Sequence, residues 1–322
     1  MFERKNFPLT ICVPVYNDWE AAANLLNGLN GALEQMKEKA AIVLVDDGSE
    51  DSLPPRQGHY ENLPKVEVLR LRRNLGHQRA IAIGLSHIFS HYHCDATIVM
   101  DADGQDAPED VNRLIQCCRE QKGMKVIFAQ RSKRAESLWF GFCYRTYKVL
   151  HWMLTGRRVE VGNFSIVPAS ALNRLMAVSE LWNHYAASVF KAKIPTEQIP
   201  IPRAKRQKGH SQMNFVGLVM HGLSGMSVFG EEIVVRVFIF LILFVLILTT
   251  ALGSFLLAQM QLHAEISRWV YIASGALLVA VMNTLILSLL FTFVILQRRS
   301  NADFLPLRDY SHYVMEIVSW HE

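Results

Sequence analysis

The sequence predicts an α/β domain built on a mostly parallel sheet with helices on both faces. An interfacial amphipathic helix and a two-helix transmembrane hairpin follow it. Three observations carry this expectation. Short apolar, β-branched runs alternate with helix-like stretches through the first two thirds of the chain, the pattern of strand–helix–strand crossovers. Polar turn residues close several of those runs at their C-terminal ends. Finally, residues 237–258 and 269–296 contain no Asp, Glu, Lys or Arg. Each is long enough to cross a hydrocarbon core, which takes about 20 apolar residues in a helix.

The elements follow in order. Residues 9–15 read as a buried strand, stopped by Asn17 and Asp18, and a helix runs to about Lys39. Residues 41–45 form a second strand, halted at Asp46, Asp47, Gly48 and Ser49. Residues 66–71 are a third strand and 78–90 a helix, and residues 96–100 make a fourth strand ending at Asp101. A helix over 111–121 and a strand over 126–129 complete the first half. The segment 131–154 is helical, with aromatic and basic residues mixed. A short strand near 164–167 and another helix follow, then an extended, Pro-containing stretch at 194–202. Residues 203–209 are a compact basic loop. Residues 213–229 place Phe215, Leu218, Val219, Leu223 and Met226 at roughly helical spacing, as in a helix lying in the membrane interface. The expected boundaries are a cytosolic domain over 1–210, a juxtamembrane helix over 211–232, the two spans within 233–297, and a C-terminal tail over 298–322.

Composition narrows the function classes. With 322 residues, 51% hydrophobic and 19% charged, the chain fits neither a disordered protein nor a wholly soluble enzyme, and two spans leave too much of it in water for a polytopic transporter. A net charge of +4, with no Arg-rich helix and no aromatic RNA-binding signature, gives no case for nucleic acid. The five cysteines form no CxxC pair and suit a reducing compartment. The N-terminus lacks the apolar core and cleavage site of a secretory signal. Arg236 opens the first span, Arg298 and Arg299 follow the second, and the short connection carries Arg268 offset by Glu265. By the positive-inside rule the main domain and both termini lie in the cytosol.

The chemistry gathers where strands end. Asp101, Ala102, Asp103, Gly104, Gln105 and Asp106 leave an apolar strand at a turn. Two carboxylates one residue apart can share a hard divalent cation, because Mg²⁺ and Mn²⁺ favour carboxylates plus substrate phosphates over an all-protein cage. A solvated acidic turn is the bland alternative for such a pair. A second acidic pair, Asp46 and Asp47, ends another strand and has the same alternative. The ordered combination of segments 11–17, 45–51, 74–84 and 101–108 at strand ends and helix starts is what makes chance a poor explanation.

Those segments resemble the family 2 glycosyltransferases of the GT-A fold, whose domain is a Rossmann-like, mostly parallel sheet. The resemblance rests on Val13-Pro14-Val15-Tyr16-Asn17, Val45-Asp46-Asp47-Gly48-Ser49-Glu50-Asp51, Asn74-Leu75-Gly76-His77 and Asp101-Ala102-Asp103-Gly104-Gln105. With Gly209, His210 and Ser211 and the apolar hairpin, the chain looks like the polyisoprenyl-phosphate glycosyltransferase branch. The resemblance implies inverting transfer of one sugar from a nucleotide-sugar, UDP-linked by default, to a polyprenyl phosphate at the cytosolic face of a bacterial inner membrane. It also implies a Mg²⁺ or Mn²⁺ cofactor and a homo-tetramer. Pro14, Tyr16 and Asp18 would line the base pocket, with Asp18 standing where a Glu is commoner. Asp47, backed by Asp46, would hold the base or ribose, and Asn74, Gly76, His77 and Ala102 would complete the donor segment. Asp101 would sit near the ribose and diphosphate, while Asp103 and Gln105, with Asp101, would bind the metal.

An acceptor phosphate is already ionised at neutral pH and needs cations rather than a base. Arg131, Arg145 and Arg206 match basic positions of the family, and the planar guanidinium suits phosphate oxygens. Arg203 and Ser211 are further acceptor-side candidates. For the basic loop a second reading stands beside this one, attraction to anionic headgroups. Asn163 occupies a position where glucose-transferring relatives often carry an acid. It cannot be a carboxylate base, which leaves it to hydrogen-bond the acceptor phosphate or donor sugar, or to make a turn. Two other functions remain. A processive polysaccharide synthase would carry Gln-x-x-Arg-Trp on the cytosolic side; the nearest string, residues 265–269, lacks the Gln and falls in the outer loop. A catalytically silent nucleotide-sugar-binding scaffold would not need the Asp101, Asp103 and Gln105 set.

Overall fold

A computed structural model describes residues 4–54, 60–131, 138–157, 161–201, 215–261, 268–300 and 304–320. The chain divides into two compact units: 1–137 with 159–228 and 303–322, and 138–158 with 229–302.

The first unit opens with β1 (Lys5–Asn6), β2 (Leu9–Val15), α1 (Trp19–Met36), β3 (Ala40–Asp46) and β4 (Lys65–Leu71). It goes on through α2 (His77–His91), β5 (Tyr92–His93), β6 (Ala96–Val99), α3 (Asp110–Glu120) and β7 (Val126–Arg131). Then α4 (Leu138–Thr155) belongs to the second unit. The first unit resumes with β8 (Ser165–Pro168), α5 (Ala169–Leu175), a single 3₁₀ turn (Ser179–Trp182), α6 (Tyr185–Lys191), β9 (Thr196–Ile201) and α7 (Phe215–Ser227). The long helices α8 (Gly230–Gln261) and α9 (Arg268–Ser300) form most of the second unit, and α10 (Pro306–Tyr313) and β10 (Val314–Ser319) return to the first.

Eight strands form one sheet in the order β10-β4-β3-β2-β6-β8-β7-β9. The run β4-β3-β2-β6 is parallel throughout. β8 is antiparallel to both β6 and β7, and β10 is antiparallel to β4. The alternation of side chains sorts the core into two layers. Leu9, Ile11, Val13 and Val15 of β2 and Ile42 and Leu44 of β3 join one cluster with α1 and α3. Cys12, Val43 and Val45 join the other, with α2, α5 and α6. Every residue of β2 and β3 is buried, as a doubly covered parallel strand requires. On the second face α2 lies close against the sheet at Gly84, where a Cβ would stand 2.5 Å from Cys12 Sγ and 2.6 Å from Val45 Cγ2.

The segment read from sequence as a tail builds structure. Pro306 opens α10, and Asp309 Oδ2 accepts the Leu305 N–H at 2.7 Å. Phe304 stacks on Trp182 with ring centroids 4.2 Å apart. β10 then pairs with β4 from Val314↔Leu71 to Ser319↔Glu67, and the Trp320 N–H donates to Val66 O at 2.9 Å.

In the second unit, α8 and α9 hold 32 and 33 residues, about 48 Å each at 1.5 Å per residue. Large apolar side chains such as Phe244, Ile247, Leu257, Leu287 and Phe293 are exposed on them. Arg236 donates to the carbonyls of Trp152 and Met153 at 3.4 and 3.1 Å, a cation at the C-terminal end of α4, where Trp152 O also accepts the Gly156 N–H at 2.7 Å. On α4 itself Val149, Leu150, Trp152 and Met153 are exposed.

Candidate functional site

Sequence order leaves β2 toward β3 and β4 on one side, whereas β6 pairs on the other side of β2. That reversal is a topological switch point, and in open α/β sheets ligands bind outside the strand ends there. The loops at this point are Tyr16–Asp18 after β2 and the stretch from Asp101 to Asp106 after β6, flanked by Asp47–Asp51 after β3.

These loops are laced together by short polar bonds. The Asp47 N–H donates to Val15 O at 2.9 Å, and its carboxylate takes the N–H groups of Leu75 and Gly76 at 2.7 and 2.9 Å. Burial pushes the Asp47 pKa up, against those two N–H donors and His77. Asp46 accepts the Ser49 N–H at 2.8 Å and Arg70 Nε at 3.3 Å. Asn17, at φ 49°, donates its N–H to Ser49 Oγ and accepts from the Glu50 N–H, each at 2.9 Å. Gly48 has φ +73°, and a Cβ there would meet Arg73 C and Asn74 N at 2.6 Å. Asp47 and Gly48 therefore hold the Asn74–Gly76 segment at the head of α2. Pro14 is buried within β2, Tyr16 is partly exposed, and Asp18 precedes α1 without making a side-chain capping bond.

After β6 the acidic loop folds on itself. Buried Asp106 accepts the Asp101 N–H at 2.9 Å, and Asp103 Oδ1 accepts the Gln105 N–H at 3.0 Å. The sequence places Asp106 in the acidic string without a role; here it braces the loop from within.

His77 meets this loop, with its Nε2 3.1 Å from Asp101 Oδ1 and 2.9 Å from Asn163 Nδ2. The Asn163 amide is oriented from behind. The Tyr185 N–H donates to Gln78 Oε1 at 2.8 Å, so Gln78 Nε2 faces Asn163 Oδ1 at 3.1 Å and turns the Asn163 NH₂ toward His77. A neutral His77 accepts from Asn163, and a protonated one donates to Asp101. Burial works to lower the His77 pKa; Asp101, Asp47 and Asp103 overcome it and raise it.

Among the described residues no three His, Cys, Asp or Glu side chains converge as a metal cage. The donor set of Asp101, Asp103 and Gln105 is all oxygen and hard. Such donors fit Mg²⁺ or Mn²⁺, hard ions that take carboxylates together with phosphate oxygens and water. Ala102 is buried between the two carboxylates. Of the basic residues expected to position an acceptor phosphate, Arg131 ends β7 with its side chain outside the described residues, and Arg145 is exposed on α4 in the second unit. Arg203, Arg206 and Ser211 lie outside the described residues.

The sequence profile described as glycosyl transferase family 2 matches residues 10–179, more than half of the chain and all of these loops. The chain belongs to glycosyl transferase family 2. Its sheet is of the GT-A-like, mostly parallel type that this family implies, followed by two long apolar helices. Among curated relatives, an undecaprenyl-phosphate 4-deoxy-4-formamido-L-arabinose transferase from Salmonella enteritidis PT4 is 29% identical over 221 residues, covering 66% of this chain. The match spans 64% of that relative, just under two thirds of its length. An uncharacterized glycosyltransferase, YkcC of Bacillus subtilis, is 24% identical over 234 residues, covering 71% of this chain and 70% of that protein. Among solved structures, mannosyl-3-phosphoglycerate synthase from Rubrobacter xylanophilus is similar with a TM-score of 0.48 and 13% identity over 69% of this chain and 72% of that one. Glucosyl-3-phosphoglycerate synthase from Mycobacterium tuberculosis, solved with Mn²⁺, UDP and glucosyl-3-phosphoglycerate, gives 0.45 and 12% over 71% and 80%.

Proposed function

We propose that this family 2 glycosyltransferase moves a single sugar from a nucleotide-sugar, UDP-linked in the first instance, to a polyprenyl phosphate at the cytosolic face of a bacterial inner membrane. Undecaprenyl phosphate is the favoured acceptor, as the name of the Salmonella relative describes. The observation that carries the reading is the return of the chain to its own catalytic sheet: between α7 and β10 lie two apolar helices, each longer than a hydrocarbon core. Because α7 and β10 belong to the same unit, a chain that crosses a bilayer between them crosses it an even number of times. A hairpin does so, and it keeps the strand-end carboxylates on the side where nucleotide-sugars are found. The exposed apolar side chains of α4 and those of α7 (Val219, Met220 and Leu223) support contact of both helices with the lipid interface.

Asp101 and Asp103 would hold the divalent ion, with Gln105 beside them. When bound, that ion supplies Lewis-acid stabilisation of the departing nucleotide diphosphate. Asp47 keeps the head of α2 against the site, and so holds His77 beside Asp101. Asn163 presents an N–H donor, suited to an anionic or hydroxyl oxygen. The acceptor arrives as an anion, so in-line attack of its phosphate oxygen on the anomeric carbon needs no proton removed and inverts the configuration. Arg131, Arg203 and Arg206 are assigned to positioning that anion.

The test is transfer by the purified full chain with polyprenyl phosphate, Mn²⁺ and a panel of UDP-, GDP- and dTDP-sugars. One donor giving a lipid-linked product is expected. Failure with every donor contradicts the reading.

A further inference from the structure

A cavity of about 580 Å³ opens beside the head of α1, lined by Asp18, Trp19, Asp51, Tyr60 and Trp320 among others. A smaller one of about 180 Å³ is lined by Ala102, Asp103 and Pro108. The two share Asp18, Glu20 and Asn24, so both lie against the head of α1. Among the described residues no Lys or Arg lines either cavity, while Asp18, Glu20 and Asp51 line the larger. That lining disfavours a diphosphate in the larger cavity, whereas a neutral nucleoside suits it.

Trp320 is held as a rigid wall. Its Nε1 donates to Pro54 O at 2.9 Å, its backbone N–H to Val66 O at 2.9 Å, and its ring stands edge-on to Trp19 at 5.9 Å. Trp19 is buried, and its Nε1 has no acceptor among the described residues. We propose that Trp320, carried back by β10 from beyond the apolar helices, forms with Trp19 part of the subsite for the donor's nucleoside. This rests on the proposed use of a nucleotide-sugar donor and names residues for its recognition. Residue 320 lies outside the 10–179 family match, so the segment after the membrane helices completes the donor site. Fixed aromatic walls hold bases through their faces, with little ordering cost on binding.

The test is calorimetric binding to the full chain in detergent with Mn²⁺, using UDP, GDP and dTDP as probes and inorganic pyrophosphate as the comparison. Trp320→Ala should weaken the tightest nucleoside diphosphate about tenfold or more, the usual scale for removing an aromatic that holds a base. Its pyrophosphate affinity should stay within about twofold of wild type. Trp320→Phe, which keeps a ring, should lose no more than about threefold. The proposal is overturned if Trp320→Ala binds the nucleoside diphosphate as wild type does, or if it loses pyrophosphate in equal measure, since an effect through general structure would do the latter. If wild type binds none of the three nucleoside diphosphates, the donor reading itself fails and takes this proposal with it.

Discussion

The carboxylate of Asp47 binds the backbone N–H groups of Leu75 and Gly76 at 2.7 and 2.9 Å, tying the end of β3 to the start of α2. Replacing it with Asn keeps one acceptor and turns an NH₂ toward the other N–H. Leaving a buried donor unsatisfied costs about 1–3 kcal/mol. Asp47→Asn is therefore expected to lower the melting temperature and to weaken donor binding together. A variant that melts as wild type does would contradict the bracing role.

Gly84 lets α2 approach the sheet. In Gly84→Ala the added carbon would meet Cys12 Sγ and Val45 Cγ2 well inside contact distance. Overpacking of this kind costs about 1–3 kcal/mol. The expected result in denaturant titration is a lower midpoint with an unchanged slope. An unaltered midpoint would mean that the helix is not held this close.

Away from the site, Glu67 is buried with Lys5, His87 and Tyr92 around it, Tyr92 Oη donating at 2.5 Å. Burial raises its pKa, but the bonds from His87, Lys5 and Tyr92 outweigh it and hold the carboxyl well below the ordinary range. A carboxylate depressed in the folded state adds stability above its unfolded pKa of about 4.3, and loses it as pH falls toward the folded value. Wild type should thus lose melting temperature between about pH 5 and pH 3 more steeply than Glu67→Gln. Parallel curves would remove Glu67 from the acid response.

Much of the site was legible because it depends on local order. Residues 9–15 have the pattern of a strand and form β2 with the same ends, and Asp46, Asp47, Asp101 and Asp103 all fall where strands stop. Such runs are apolar and close with turn residues, a pattern that needs no distant partner. The C-terminal strand was not legible. Val314–Ser319 pairs with residues some 240 positions earlier, and a six-residue run after a long apolar helix carries no periodicity that names its partner. The orientation of Asn163 was hidden for the same reason, since the Tyr185 backbone decides it through Gln78.

The proposed membrane hairpin has a directional consequence. In whole cells, a cysteine placed at His263, between α8 and α9, should react with a membrane-impermeant maleimide. One placed at Met315 in β10 should react only after lysis. Labelling of both in intact cells would contradict a crossing by α9 and with it the hairpin.

The central claim is that a metal-bound nucleotide-sugar meets a lipid phosphate. The most direct measurement is single-turnover transfer by the full chain to undecaprenyl phosphate and, in parallel, to undecaprenol, with Mn²⁺ and after chelation, beside Asp103→Ala. The expected result is a lipid-linked sugar only with the phosphate acceptor and added metal. Asp103→Ala should be slower by about a hundredfold or more, the scale of losing one transition-state charge stabiliser. Product formed equally well on undecaprenol, or undiminished by chelation or by Asp103→Ala, would contradict the account.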